Sequence, residues 1–157
     1  MTTILIPLTM IAIAGSGLMA GLFFVFSFSV MNALAQMPAN EGMKAMQLIN
    51  RTILNTVFLN AFFGTALACL LVAITSAWQR PPDFGWAIAG ACMYLVGGFM
   101  VTAFFNVPLN NSLDKLPSDD PASHEEWTHY LKLWTRWNHL RTAACILACV
   151  LLAIGLP

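Results

Sequence analysis

Charge is what this sequence has least of. Its 157 residues hold seven Lys and Arg, seven Asp and Glu and three His, so 9% of the chain is charged and the formal net charge is zero. A soluble domain carries roughly 25% charged residues. With 59% hydrophobic residues and a mean hydropathy of +0.73, the apolar surplus is too large for a 17.1 kDa globule to bury in water. Lipid must be the solvent for much of it. Balanced charge without a basic stripe also excludes a nucleic-acid partner.

Other absences narrow the chemistry. There is no P-loop, no GxGxxG and no GxSxG. Cys69, Cys92, Cys145 and Cys149 form no CxxC and fall in apolar stretches, where they read as small hydrophobes. Cys145 and Cys149 stand one helical turn apart and keep a soft metal as a minor alternative. His124-Glu125-Glu126-Trp127-Thr128-His129 is one residue too long for HExxH, which puts its histidines on different helix faces and reads as a solvated helix start. Haem is a second minor alternative, because His139 is the imidazole nearest a span, although Met19, Met31, Met93 and Met100 lie within spans. No cofactor is expected. A proton-coupled exporter lacks its carrier, since no Asp, Glu or Lys sits in mid-span.

What is present is four uncharged stretches, 1–40, 52–79, 84–113 and 142–157. A membrane helix needs roughly 20 apolar residues, so spans are expected near 4–34, 54–78, 86–105 and 138–156. The fold class is all-α, an integral membrane four-helix bundle forming one domain over 1–157. The first stretch has no basic n-region and exceeds a signal h-region of about 7–15 residues, so it is expected to stay in the mature chain. The fourth is short, which draws His139 and Arg141 to headgroup depth or below, where an unpaired guanidinium is costly.

Four spans put both termini and Arg80 on one side. Lys44, Arg51, Lys115, Lys132, Arg136 and Arg141 then lie on the other. The positive-inside rule makes the two longer connections cytoplasmic, which in a bacterial inner membrane leaves the termini periplasmic. At least one long connection is expected to form an interfacial helix, with Pro38 and Pro117 outside the helices they follow.

Phe28, Val30, Asn32, Leu34, Pro38 and Asn50 match Phe105, Val107, Asn111, Leu113, Pro117 and Asn138 in order. The match reads as a parallel duplication of a two-span unit, whose sites tend to lie between the halves. Gln47 and Asn50 interrupt an apolar stripe of Met43, Met46, Leu54, Val57 and Phe58 that runs into the second span at helical spacing. Tyr130, Trp134, Trp137, Asn138 and Arg141 share one face of the last helix. In Asn106-Val107-Pro108-Leu109-Asn110, the proline is expected to break the helix and free carbonyls. Each residue has an ordinary reading: Trp collects at interfaces, amides join helices, and Arg snorkels. Their coincidence at one membrane level favours a site.

Met46-Gln47-Leu48-Ile49-Asn50, Asn55-Thr56-Val57-Phe58, Asn106-Val107-Pro108-Leu109-Asn110 and Trp134-Thr135-Arg136-Trp137-Asn138-His139-Leu140-Arg141 together resemble the anthrone-oxygenase-like family of small four-helix membrane proteins. The family often has Asn-Pro-Phe where this chain has Asn55-Thr56-Val57-Phe58. The resemblance implies a membrane oxygenase that inserts one atom of O₂ at the activated methylene of an anthrone, or a related flat polyketide, giving an anthraquinone and water. Arg141 would pair with an oxyanion and His139 would be the base. Asn50, Asn106, Asn110 and Asn138 would donate hydrogen bonds, with Gln47 beside them, and Trp134 and Trp137 would stack on the rings. Two other readings stand beside this one. One is a nonenzymatic bundle that binds a lipid or quinone or supports a partner membrane protein, and the other is a transporter built on the repeat.

Overall fold

The computed structural model describes residues 2–156, so Met1 and Pro157, at the ends of the expected domain, lie outside the described residues. Those residues form five helices and no strand. Four are long and apolar enough to cross a membrane: α1 (Ile4–Ala35), α3 (Thr56–Gln79), α4 (Phe84–Leu113) and α5 (Ser123–Ile154). The fifth, α2 (Ala39–Ile53), is amphipathic. The protein is an integral membrane helical bundle.

Hydrogen bonds give the helix directions. Asn138 of α5 reaches the Phe23 carbonyl of α1, and Cys149 approaches that of Ile13, so the two helices run antiparallel. Close approaches of Gly90 to Leu152 and Gly97 to Ala144 make α4 antiparallel to α5. A Cβ on Gly90 would stand 2.7 Å from the Leu152 nitrogen, so glycine is what allows those backbones to meet. A four-residue hairpin joins α3 to α4. Arg80 ends α3 in the left-handed region, at φ 46°, and Pro81 blocks further helix. The start of α1 and the end of α5 therefore share one end with Arg80, and α2 and the 114–122 turn share the other.

Two cores fill the bundle. Towards the terminal end, Met19, Phe62, Cys69, Tyr94, Cys145 and Leu152 pack together. Towards the other end, Met43 and Met46 of α2 close over Met31, Leu113, Trp127 and Tyr130. Pro38 and Pro117 lie outside the helices.

The structure corrects three expectations. First, the apolar stripe does not run on from α2 into α3. Leu54 leaves helical geometry, and extended Asn55 accepts a bond from the Phe58 N–H at 3.0 Å, which caps α3. Val57 is then turned out to lipid, 80% exposed. Second, Pro108 does not break α4. It occupies the first turn after a π-helical segment, Thr102–Asn106, where the register change removes the need for its missing N–H. Third, the last two helices outrun their expected spans of 86–105 and 138–156, because helical hydrogen bonding continues into the interface after hydrophobicity ends.

Candidate functional site

The site is built where α4 and α5 face α1. Trp134, Asn138 and Arg141 lie at i, i+4 and i+7 on α5, on one inward face. Thr102 and Asn106 mark the two ends of one π segment of α4, a wider turn of the kind often found at functional sites. Another π segment, Met93–Met100, precedes it in α4, and a third, Phe26–Val30, lies in α1 just after Phe23.

Arg141 is 4% exposed. Its Nη1 donates to Thr102 Oγ1 at 3.1 Å, and its Nη2 donates to Asn138 Oδ1. The guanidinium lies between two aromatic rings, 4.2 Å from the Phe23 centroid and 5.1 Å from that of Trp134. No carboxylate reaches it: the ion pairs among the described residues are Lys44–Asp119 and Arg51–Asp114, both exposed. Arg141 Nε and Asn106 Oδ1 are buried without partners.

Asn138 holds the guanidinium in place. Its Nδ2 donates to the Phe23 carbonyl and to Ser27 Oγ, each at 2.7 Å, which leaves Oδ1 to accept from Arg141. Asn106 donates to the Trp134 carbonyl at 3.2 Å. Asn110 Oδ1 accepts from Trp134 Nε1 at 2.7 Å and from the Tyr130 hydroxyl at 2.9 Å, and Asn50 donates to that hydroxyl at 3.3 Å. The amides thus fix the indole that forms one face of the cation's cradle.

These groups surround a cavity of about 80 Å³. Its polar wall is Asn50, Thr102, Asn106, Asn110, Trp134 and Arg141. Phe23, Phe26, Ile53 and Phe58 are among its apolar residues, and exposed Leu54 and Val107 stand at its mouth. Asn138 sits behind Arg141, outside the lining.

Three residues expected at the site lie elsewhere. Gln47 donates to the carbonyls of Leu113 and Leu116, at 2.8 and 3.0 Å, and ties α2 to the end of α4. Trp137 stacks on Phe105 with centroids 3.8 Å apart and does not line the cavity. His139 is exposed on the outer side of α5, against the Phe28 ring, because it stands about 100° round the helix from Asn138. The sequence reading missed Phe23, Thr102 and Phe58. Thr102 carries a signal, one turn before Asn106; a phenylalanine in an apolar run carries none.

No curated protein and no solved structure matches the chain. A family model described as Anthrone oxygenase matches residues 51–151, well over half of the sequence. The match takes in Thr102, Asn106, Asn110, Trp134, Asn138 and Arg141 and leaves out α1, Gln47 and Asn50. By that match the chain belongs to the anthrone oxygenase family.

Proposed function

We propose that the protein is a membrane oxygenase that binds a flat aromatic ketone through its oxygen and converts an activated methylene to a second ketone with O₂. The observation that carries this reading is Arg141, a buried cation with two protein hydrogen bonds and no anion, facing an aromatic-walled cavity. A guanidinium has five donors. The remaining ones suit the oxygen of an enolate, and pairing with a cation makes the parent ketone more acidic. Deprotonation gives an extended aromatic enolate that reduces O₂ without a cofactor. The methylene loses both hydrogens and four electrons, one oxygen atom becomes the new ketone, and the other leaves as water.

The cavity is lined by no imidazole, carboxylate or amine, so the chain's part is to hold the oxyanion by Arg141, and the proton passes to interfacial water at the α2 end, not to the hydrocarbon. Asn138 positions Arg141, and Trp134 offers a face to the ring system. A cavity of about 150 Å³ accommodates one benzene ring, so a space of about 80 Å³ takes only the oxygen-bearing edge. Fuller entry requires the α2 wall to move. That helix is bracketed by non-helical joints at 36–38 and 54–55.

Protein in lipid nanodiscs, given anthrone and air, should form anthraquinone faster than empty nanodiscs, with one O₂ consumed per product. Arg141→Lys should slow this about 10²-fold, the loss seen when an oxyanion donor is removed, since a point charge does not replace the planar fork. An unchanged rate in Arg141→Lys, or no rate above empty nanodiscs for the native protein, rejects the proposal.

A further inference from the structure

On the outer face of the seam between α1 and α5, opposite the cavity, two grooves run end to end. The first, about 410 Å³, lies at the α2 end of the seam and is lined by Asn32, Thr128, Lys132, Thr135, Arg136 and His139, among others. The second, about 490 Å³, continues towards the middle of the membrane between Phe24, Phe28, His139, Ala143 and Ile146. His139 lines both, with its imidazole 5.1 Å from the Phe28 ring.

Each half alone is unremarkable chemistry for a membrane helix: basic residues reach for the interface, and apolar faces meet lipid. Their order along one groove is informative. Lys132 and Arg136 stand one turn apart, and among the described residues neither has a carboxylate within 4 Å, whereas Lys44 and Arg51 at the same end of the bundle are paired with Asp119 and Asp114. No acidic side chain lines either groove. A headgroup ammonium therefore finds no partner there, while a phosphate finds two cations. From Arg136 to Ile146 the helix rises about 15 Å, a length that an acyl chain can follow.

We infer that the α1–α5 seam binds an anionic phospholipid, with its phosphate at Lys132 and Arg136 and an acyl chain along Phe24, Phe28 and Ile146. His139 stands at the junction, where the glycerol ester groups would lie, and its ring is the polar lining residue common to both halves. The site does not depend on the oxygenase reading. It lies on the outer face of the seam whose inner face holds Asn138 and Arg141.

Native mass spectrometry tests it directly. Protein released from detergent after exposure to equimolar dioleoyl phosphatidylglycerol and dioleoyl phosphatidylcholine should retain the anionic lipid preferentially. A basic residue near a membrane surface is worth roughly a fivefold preference, so Lys132→Gln and Arg136→Gln should each reduce it by about that factor, and together they should abolish it. Ala143→Trp, at an exposed position in the trough, should lower retention of both lipids alike. Equal retention of the two lipids by the native protein overturns the inference, as does a preference that survives in the double variant. Unchanged retention in folded Ala143→Trp overturns the acyl-chain part.

Discussion

A guanidinium buried among aromatic rings without an acid is held against its own hydration. Removing one partner of a buried ion pair is strongly destabilising, but replacing buried charge with a packed apolar group is often neutral or better. Arg141 has no ionic partner to strand, but its removal leaves the buried Asn138 Oδ1 without a donor, a loss of about 1–3 kcal/mol, and forfeits ring contacts worth about 2 kcal/mol when desolvated. Relief of the buried charge offsets part of this, so Arg141→Met should abolish anthrone oxidation while lowering stability by less than about 3 kcal/mol, as judged by a melting curve in nanodiscs. A loss of 3 kcal/mol or more, the scale of a broken buried pair, would make Arg141 a structural residue. Arg141 and Asn138 were legible in the sequence because a short last span leaves little choice of depth for them. Phe23 was not, since nothing in an apolar run distinguishes the ring on which a cation rests. His139 misled for a related reason: adjacency to a motif places a residue at the right height on the helix but not on the right face.

Helix α2 is the element on which sequence reasoning was least complete. Its amphipathic period and flanking Pro38 announce an interfacial helix, yet the same period continues in the sequence into α3, because Leu54, Val57 and Phe58 keep the spacing. The stop depends on Asn55 using its side chain as a cap, a choice that competes with helix continuation by a margin too small for periodicity to reveal. What holds α2 down can be ranked by magnitude. Met43 and Met46 are fully buried, the Gln47 amide satisfies two carbonyls, and the Lys44 and Arg51 ion pairs are exposed. Gln47→Ala should cost about 1–3 kcal/mol, since it strands half-buried carbonyls. Arg51→Ala should cost no more than about 1 kcal/mol. Denaturant titration in mild detergent checks both, and the reverse order would show that surface charge, not the amide, fastens the helix. The π segments of α1 and α4 left no mark in the sequence either, because a π turn uses the same residue types as an α turn.

At the scale of the whole molecule, the four charge-free stretches were enough to give the bundle, its antiparallel order and the shared face of the termini. Helix ends were not readable from the same signal: hydropathy marks where lipid stops, and α5 runs on to Ser123 because its backbone bonds are satisfied in either solvent. The distribution of Lys and Arg adds a directional prediction. In a bacterial host, a cysteine replacing Lys115 should resist an impermeant maleimide added to intact cells and react once the membrane is opened; ready labelling from outside reverses the orientation.

The mouth of the cavity between Leu54 and Val107 has a further consequence. Both residues are apolar and exposed, so under the proposed function a ligand would enter along the plane of the bilayer, drawn from the hydrocarbon, where a flat aromatic molecule and O₂ both accumulate. The concentration that governs turnover is then a mole fraction in lipid, not a molarity in buffer. Diluting the membrane with inert phospholipid at fixed protein and substrate should slow the reaction in inverse proportion, and diluting it with water should not.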